Sequence, residues 1–417
     1  MKILCFLFSM MLLQTAFAGI LSVSSVETKF AYKSEFQTSS KADAEELTTQ
    51  HAQFFFGYFQ SPTMAEYFHV PSATLGIAAI KLPLRFHVTS DVVGKNGQRV
   101  ISYKADGTLL LHKKVAKQIL EGGIEVTLPY DVDNFYELKC TDEHYPSALD
   151  FWYFYDPFRE GCAHLREAPM AKPTLVTLKP MNPPDETISA GFKALRGDNG
   201  NGDMFEIATI NGFSESSTSS EDDGRKNFDD INNWLRDQGF QEKTLASFAN
   251  RPVLEFTKTL TSREGRTINV RIVRLLAETG IGSKNVTFAK FFRRALENSD
   301  VVIYSGHSGL GGNLHIPSLE MKSGEIQFNP KKRQLFFFDS CSSYSYDLAP
   351  FENKKTKGKI DILTQGLPSY FWAEPPTHKI LFKYLLDVDK DPSWLEVLKQ
   401  MEKVLEGQTQ MMSVGSV

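Results

Sequence analysis

The sequence predicts an α/β protein in two parts: a β-rich N-terminal region, then a mostly parallel sheet flanked by helices. Three observations carry this. Apolar and period-two runs dominate residues 21–177. A proline-rich passage follows, with Pro173, Pro180, Pro183 and Pro184. Beyond it, short apolar runs alternate with amphipathic stretches. At 417 residues the chain is long enough for two cores. The expected organisation is a signal peptide at 1–18, a β-rich accessory domain at 19–180 and the α/β domain at 181–417.

The first eighteen residues read as an export signal. Lys2 precedes an apolar core at 3–13, and Ala16-Phe17-Ala18 meets the small-x-small cleavage rule, so Gly19 is the expected mature N-terminus. The core is shorter than the roughly 20 residues a spanning helix needs. No later run offers an apolar stretch of that kind, so no integral membrane segment is expected after cleavage. Cys5 lacks the small-residue box of a lipid anchor. The expected location is the periplasm or the extracellular space.

In the N-terminal region, residues 52–59 form an apolar, aromatic run, and 84–88 and 124–128 alternate with period two. All three suit strands. Residues 43–50 and 112–121 suit short helices. Past the prolines, strands are expected at 204–210, 268–276, 301–304, 335–338 and 360–363. Helices are expected at 227–238 and 286–296, and near the end, where Asp391 caps, Pro392 starts and Gly407 stops an apolar-faced helix. Residues 214–224 read as an exposed Ser-rich, acidic loop, with Arg225-Lys226 as a possible processing point, and 314–330 as a hairpin.

Charge excludes some functions. The formal net charge of −4 becomes −5 once Lys2 leaves with the signal, which is no footprint for nucleic acid or an anionic membrane. Cysteine parity is more specific. Of Cys5, Cys140, Cys162 and Cys341, the first departs with the signal. Cys140 and Cys162 flank the aromatic stretch 151–155 and can pair, which leaves Cys341 single in a compartment where pairing is expected.

Two expected strands end in reactive side chains. One runs through Tyr304-Ser305-Gly306-His307-Ser308-Gly309, and the other through Phe338-Asp339-Ser340-Cys341-Ser342. In open α/β sheets, ligands collect at the carboxyl ends of strands. A thiolate can attack a carbonyl while an imidazole manages the proton. The bland readings are a structural turn histidine and a buried inert thiol. Their order, strand context and 34-residue separation resemble the caspase-like cysteine peptidases, which include caspases, legumains, clostripain and gingipains. The resemblance spans about residues 185–405 in fold and rests on about 20 residues of motif. It implies that Cys341 is the nucleophile, that His307 is its proton-transfer partner, and that the N–H groups of Gly309 and Cys341 bind the oxyanion. That family places Gly directly after the His, whereas here Ser308 precedes Gly309.

The resulting expectation is an exported cysteine peptidase acting on protein or peptide, with no cofactor and no metal. The alternative is an inactive caspase-like binding or scaffold protein. A catalytic Cys341 is expected to have a depressed pKa and to alkylate near pH 6. Nothing in the sequence selects a specificity pocket among Asp339, Asp347, Asp361, Trp372 and Glu374. A zinc site from Cys140, His144, Cys162 and His164 matches no common spacing. Residues 198–203 resemble part of a calcium loop without its distal Glu. Leu310 breaks a serine-hydrolase elbow, and Leu314 breaks a dinucleotide fingerprint. Asn285-Val286-Thr287 is a glycosylation acceptor only in a host that glycosylates.

Overall fold

The computed structural model describes residues 19–71, 76–94, 97–140, 155–182, 184–197, 204–248, 251–280 and 286–415. The export signal, the aromatic residues 151–154, His144, Asn285 and the candidate calcium loop lie outside the described residues.

The N-terminal strands are β1 (Leu21–Ser22), β2 (Ser25–Thr38), β3 (Ala78–Ile80), β4 (Arg85–Val93), β5 (Arg99–His112), β6 (Ile124–Pro129) and β7 (Ala171–Pro180). The later ones are β8 (Met204–Gly212), β9 (Gln241–Phe248), β10 (Arg251–Thr261), β11 (Thr267–Ala277), β12 (Val301–Ser305), β13 (Gln334–Asp339), β14 (Ile360–Thr364) and β15 (Ser413–Gly415). The early helices are α1 (Ala44–Phe59), α2 (Pro62–Tyr67), α3 (Lys113–Ile119) and α4 (Phe192–Leu195). They are followed by α5 (Asp223–Asp237), α6 (Val286–Asn298), α7 (Ile316–Ser323), α8 (Ser343–Tyr346), α9 (Leu348–Glu352), α10 (Glu374–Leu386) and α11 (Trp394–Lys403).

Two sheets result. Six strands, β2 to β7, form an antiparallel sheet in which β2 and β5 pair over their full lengths. Nine strands form the other, in the order β1-β15-β14-β13-β12-β8-β11-β10-β9. Its centre is parallel, from β14 to β11, and both flanks are antiparallel. The sheet is therefore mixed rather than mostly parallel. The β9–β10–β11 meander on one flank and the terminal β1–β15 pair on the other supply the difference. β1 also ties the first described residues to the larger sheet.

Residues 52–59 are helical, against the strand expected there. A continuous apolar run fits either form. Its N-terminal flank decides: Asp43 accepts from the main-chain N–H groups of Glu45 and Glu46, and both glutamates favour the first turn of α1. Phe55 and Phe59, four apart, then bury on one side. The expected hairpin at 314–330 contains α7 instead, because Pro317 fits a helix's first turn. The final helix is capped by Ser393, which accepts from Glu396 N at 3.2 Å; Asp391 instead accepts from Ser189 and from Phe192 N.

β12 and β13 are buried along their whole length, as parallel strands covered on both faces should be. Val302, Tyr304, Phe336 and Phe338 pack with α6 and α7 on one face. Leu110 and Ala79 of the antiparallel sheet join that same cluster. Val301, Ile303, Leu335 and Phe337 face α5, α10 and α11 on the other. Cys140 and Cys162 are joined by a disulfide with Cα atoms 5.9 Å apart, as their spacing suggested. Closing a loop of that length contributes about 3 kcal/mol on the chain-entropy account.

Candidate functional site

The register brings the two reactive strand ends together. β12 and β13 are adjacent and parallel, Ser305 pairs with Asp339, and Gly306 N donates to Asp339 O at 3.3 Å. His307 and Cys341 each follow two residues later. Neighbouring strands lie about 4.8 Å apart, and residues two apart share a face. The partners agree with that geometry. Asp339 meets His378 and Ser305 meets Glu374, both on α10. His307 packs edge-on against Phe371, and Cys341 receives hydrogen bonds from Ser369. Both reactive side chains thus face the loop between β14 and α10.

His307 is exposed, and its Nε2 lies 2.5 Å from the main-chain oxygen of Ser214. A carbonyl only accepts, so Nε2 carries the hydrogen and the neutral ring keeps its lone pair on Nδ1. The residue is held from behind as well: its carbonyl accepts from Tyr304 Oη at 2.6 Å and Asn313 Nδ2 at 2.7 Å.

Ser214 is itself fixed. The Asp222 carboxylate accepts from the N–H groups of Ser214, Glu215, Ser216 and Arg225 and from the Ser214 hydroxyl, at 2.8–3.1 Å. Burial alone would raise this carboxyl. The four N–H groups outweigh it and hold it at about 2. The segment is a largely exposed loop, as expected, but it is tied around one buried aspartate, and Arg225 lies inside α5. Neither Ser214 nor Asp222 stood out in the sequence, since a carbonyl ligand has no residue signature.

Cys341 is the free cysteine among the described residues and keeps part of its surface open. Burial of the thiol pushes its pKa up, only partly offset by the Ser369 N–H and hydroxyl. The depressed value expected from the sequence is not found, because no cation stands against the sulfur while Asp339 adds a like charge. The following residue, Ser342, is non-glycine at φ +54°, a strained conformation. Gln60, at the end of α1, donates to its hydroxyl at 2.8 Å.

Among the described residues, neither Gly309 N–H nor Cys341 N–H donates to a protein oxygen. Gly309 has φ +55°, and a Cβ there would stand 2.5 Å from Asn313 Oδ1. The turn is closed by Gly311 N and Asn313 N, both donating to Ser308 O at 3.1 Å. Ser308 is buried and acts as a turn acceptor, so its position after His307 leaves the Gly309 donor open.

One layer beneath lies a buried polar network. Asp339 bonds His378 and Gln365, each at 3.0 Å. Glu374 accepts from Asn211 and, at 2.8 Å, from Asn227; burial raises its pKa. Arg274 reaches Thr209 and Asn211 at 3.0 Å each, and burial lowers it to about 9. Of the residues the sequence could not choose among, Asp339 and Glu374 belong to this layer. Trp372 is half exposed beside Tyr370 at the rim, with ring centroids 5.3 Å apart. Asp347 is buried, and burial raises its carboxyl well above the usual range. Asp361 lies at the opposite end of the sheet with Arg333.

Cys140 and Cys162 are consumed by the disulfide, which removes the thiolates a zinc site would need. Among the described residues, no group of three or more His, Cys, Asp or Glu is placed to hold a metal ion, and no helix is long and apolar enough to cross a membrane. No protein-family model matches the chain, and no curated protein matches it.

Proposed function

We propose that the chain is an exported cysteine-type amide hydrolase of the caspase-like kind, acting on protein or peptide. The observation that carries this reading is the pairing of Ser305 with Asp339, which sets His307 and Cys341 at one height toward one loop. The polarity of the His307 ring supports it, because Ser214 O leaves Nδ1 as the proton acceptor. The raised thiol implies a protonated resting sulfur rather than a preformed thiolate. His307 Nδ1 takes the Cys341 proton as sulfur bonds to the substrate carbonyl carbon. The carbonyl oxygen becomes an oxyanion within reach of the Gly309 and Cys341 N–H groups, each worth roughly 3 kcal/mol when well aimed. The imidazolium then protonates the amine nitrogen, the C–N bond breaks, and a thioester remains. Water attacks the thioester with His307 as base, releasing the acid and restoring the thiol.

The disulfide supports an oxidising compartment, in line with an export signal. The raised thiol is also the observation that favours the second reading, an inactive binding protein of this fold. A peptide-library cleavage assay separates them. Hydrolysis by the wild type that vanishes in Cys341→Ala supports the hydrolase. Equal background from both proteins supports the binding protein.

A further inference from the structure

A second concave feature opens where the N-terminal region meets the turn after His307. It is a groove of about 750 Å³ between α1, the segment leading into β4, the 310–312 turn, α8 and α9. That size lies in the range of roughly 300–1,000 Å³ usual for ligand sites. Its walls are Phe56, Leu84, Phe86, Leu310, Tyr346 and Pro350. Among the described residues no Lys, Arg, Asp or Glu lines it, and its titratable side chains are His315 and Tyr346.

In sequence the groove adjoins the candidate site. Its rim, Leu310-Gly311-Gly312, begins one residue after Gly309. Leu310 is a non-glycine residue at φ +52°, a conformation costing on the order of 1 kcal/mol or more. Its side chain packs against the N-terminal core, which holds the strained turn in place. On the far wall Phe56 meets Tyr346 with ring centroids 5.9 Å apart. The N-terminal region also bonds the chain just after Cys341: Gln60 to Ser342, and Leu82 N to Ser345 O at 3.1 Å. The 310–312 rim and the contacts from Gln60 and Leu82 set the groove beside the turns that carry Gly309 and Cys341.

We propose that the groove is an extended substrate subsite, built largely by the N-terminal region, for large uncharged apolar residues flanking the scissile amide on that side. This rests on the hydrolase reading. Desolvating a charged side chain here would go uncompensated, because no opposite charge lines the walls. An apolar segment buries against the aromatic and aliphatic walls at roughly 25 cal/mol per Å².

The test uses two fluorescein-labelled decapeptides of Gly/Ser background, one carrying Leu-Phe-Leu and the other Asp-Ser-Asp at the same positions. Binding is read by anisotropy on the full Cys341→Ala chain, and cleavage on the wild type. At least tenfold tighter binding of the Leu-Phe-Leu peptide is expected. That preference should disappear when Leu84→Glu, or Thr49→Trp on the exposed side of α1, is added. Thr49→Trp obstructs the groove without burying a charge, and unchanged iodoacetamide alkylation of Cys341 in the otherwise wild-type background shows that each variant is folded at the site. Equal affinity for both peptides, or a preference that survives both substitutions, overturns the proposal. Cleavage of both peptides with equal kcat/KM overturns the groove and keeps the hydrolase. Groove-dependent binding with no cleavage of any peptide overturns the hydrolase and keeps the groove as an apolar-peptide site.

Discussion

The two ends of the larger sheet are built from similar residue types and put them to opposite uses. At the amino ends of the central strands, carboxylates meet cations. Glu206 bonds Arg271 at 2.6 Å, Arg294 at 3.1 Å and Ser299 at 2.7 Å. Asp300 meets Lys332 at 3.2 Å, and Asp361 meets Arg333 at 2.5 Å. At the carboxyl ends, the buried carboxylates of Asp339 and Glu374 meet amides and an imidazole instead. Arg274 lies there with its Nη1 buried and unpartnered. Above that layer, a half-buried cysteine and an exposed histidine face the loop between β14 and α10. Charge is neutralised where the sheet needs holding, and polar groups are kept adjustable where strands end in loops. Open α/β sheets place their ligands at that second end.

The largest effect that would sharpen this contrast is on rate. His307→Ala should lower kcat/KM for a cleavable peptide by about 1,000-fold, the scale of a lost general base, with an unchanged melting temperature. A matching fall in melting temperature would make His307 structural and erase the difference between the two ends.

Next comes stability at the other end. Glu206→Ala leaves Arg271 and Arg294 without a shared partner and should cost about 3 kcal/mol in urea unfolding, while kcat/KM is unchanged. Burial alone would raise the Glu206 carboxyl, but Arg294, Ser299 and Arg271 together lower it. Its contribution is therefore full above the unfolded carboxyl's value and is lost as pH falls through the lower folded one. A Glu206→Ala chain whose stability falls with acid as steeply as the wild type's would contradict that assignment.

The smallest effect is Asp222→Asn, which removes one acceptor oxygen from the knot around Ser214. A fall in kcat of about tenfold is expected, with Asp222→Ala lower still. If both variants keep full kcat, the Ser214 carbonyl does not orient His307.

Much of this was legible from residue types. The buried strands 301–304 and 335–338, the helices at 227–238 and 286–296, and the disulfide pair all carry local signals of period, capping or spacing. Three kinds of feature were not. The run at 52–59 fits strand or helix, and the cap at Asp43 outweighs its aromatic content. The β1–β15 flank depends on pairings between residues far apart, such as Leu21 with Val414, that no local pattern encodes. The Ser214 carbonyl, the open N–H groups and the groove are properties of main chain and of packing between regions. The thiol's upward shift has the same origin: it comes first from burial, a property of packing, and then from the like charge of Asp339 nearby in space.

On the proposed mechanism, Cys341 and His307 act as one pair across the ends of β12 and β13. Iodoacetamide alkylation of Cys341, followed by mass spectrometry from pH 6 to pH 10 in wild type and His307→Ala, tests it most directly. The wild-type rate is expected to keep rising above the range of a free cysteine, because burial raises the thiol. Loss of the imidazole is expected to slow alkylation near pH 7.5 by about tenfold. Superimposable profiles for the two proteins would contradict the pairing.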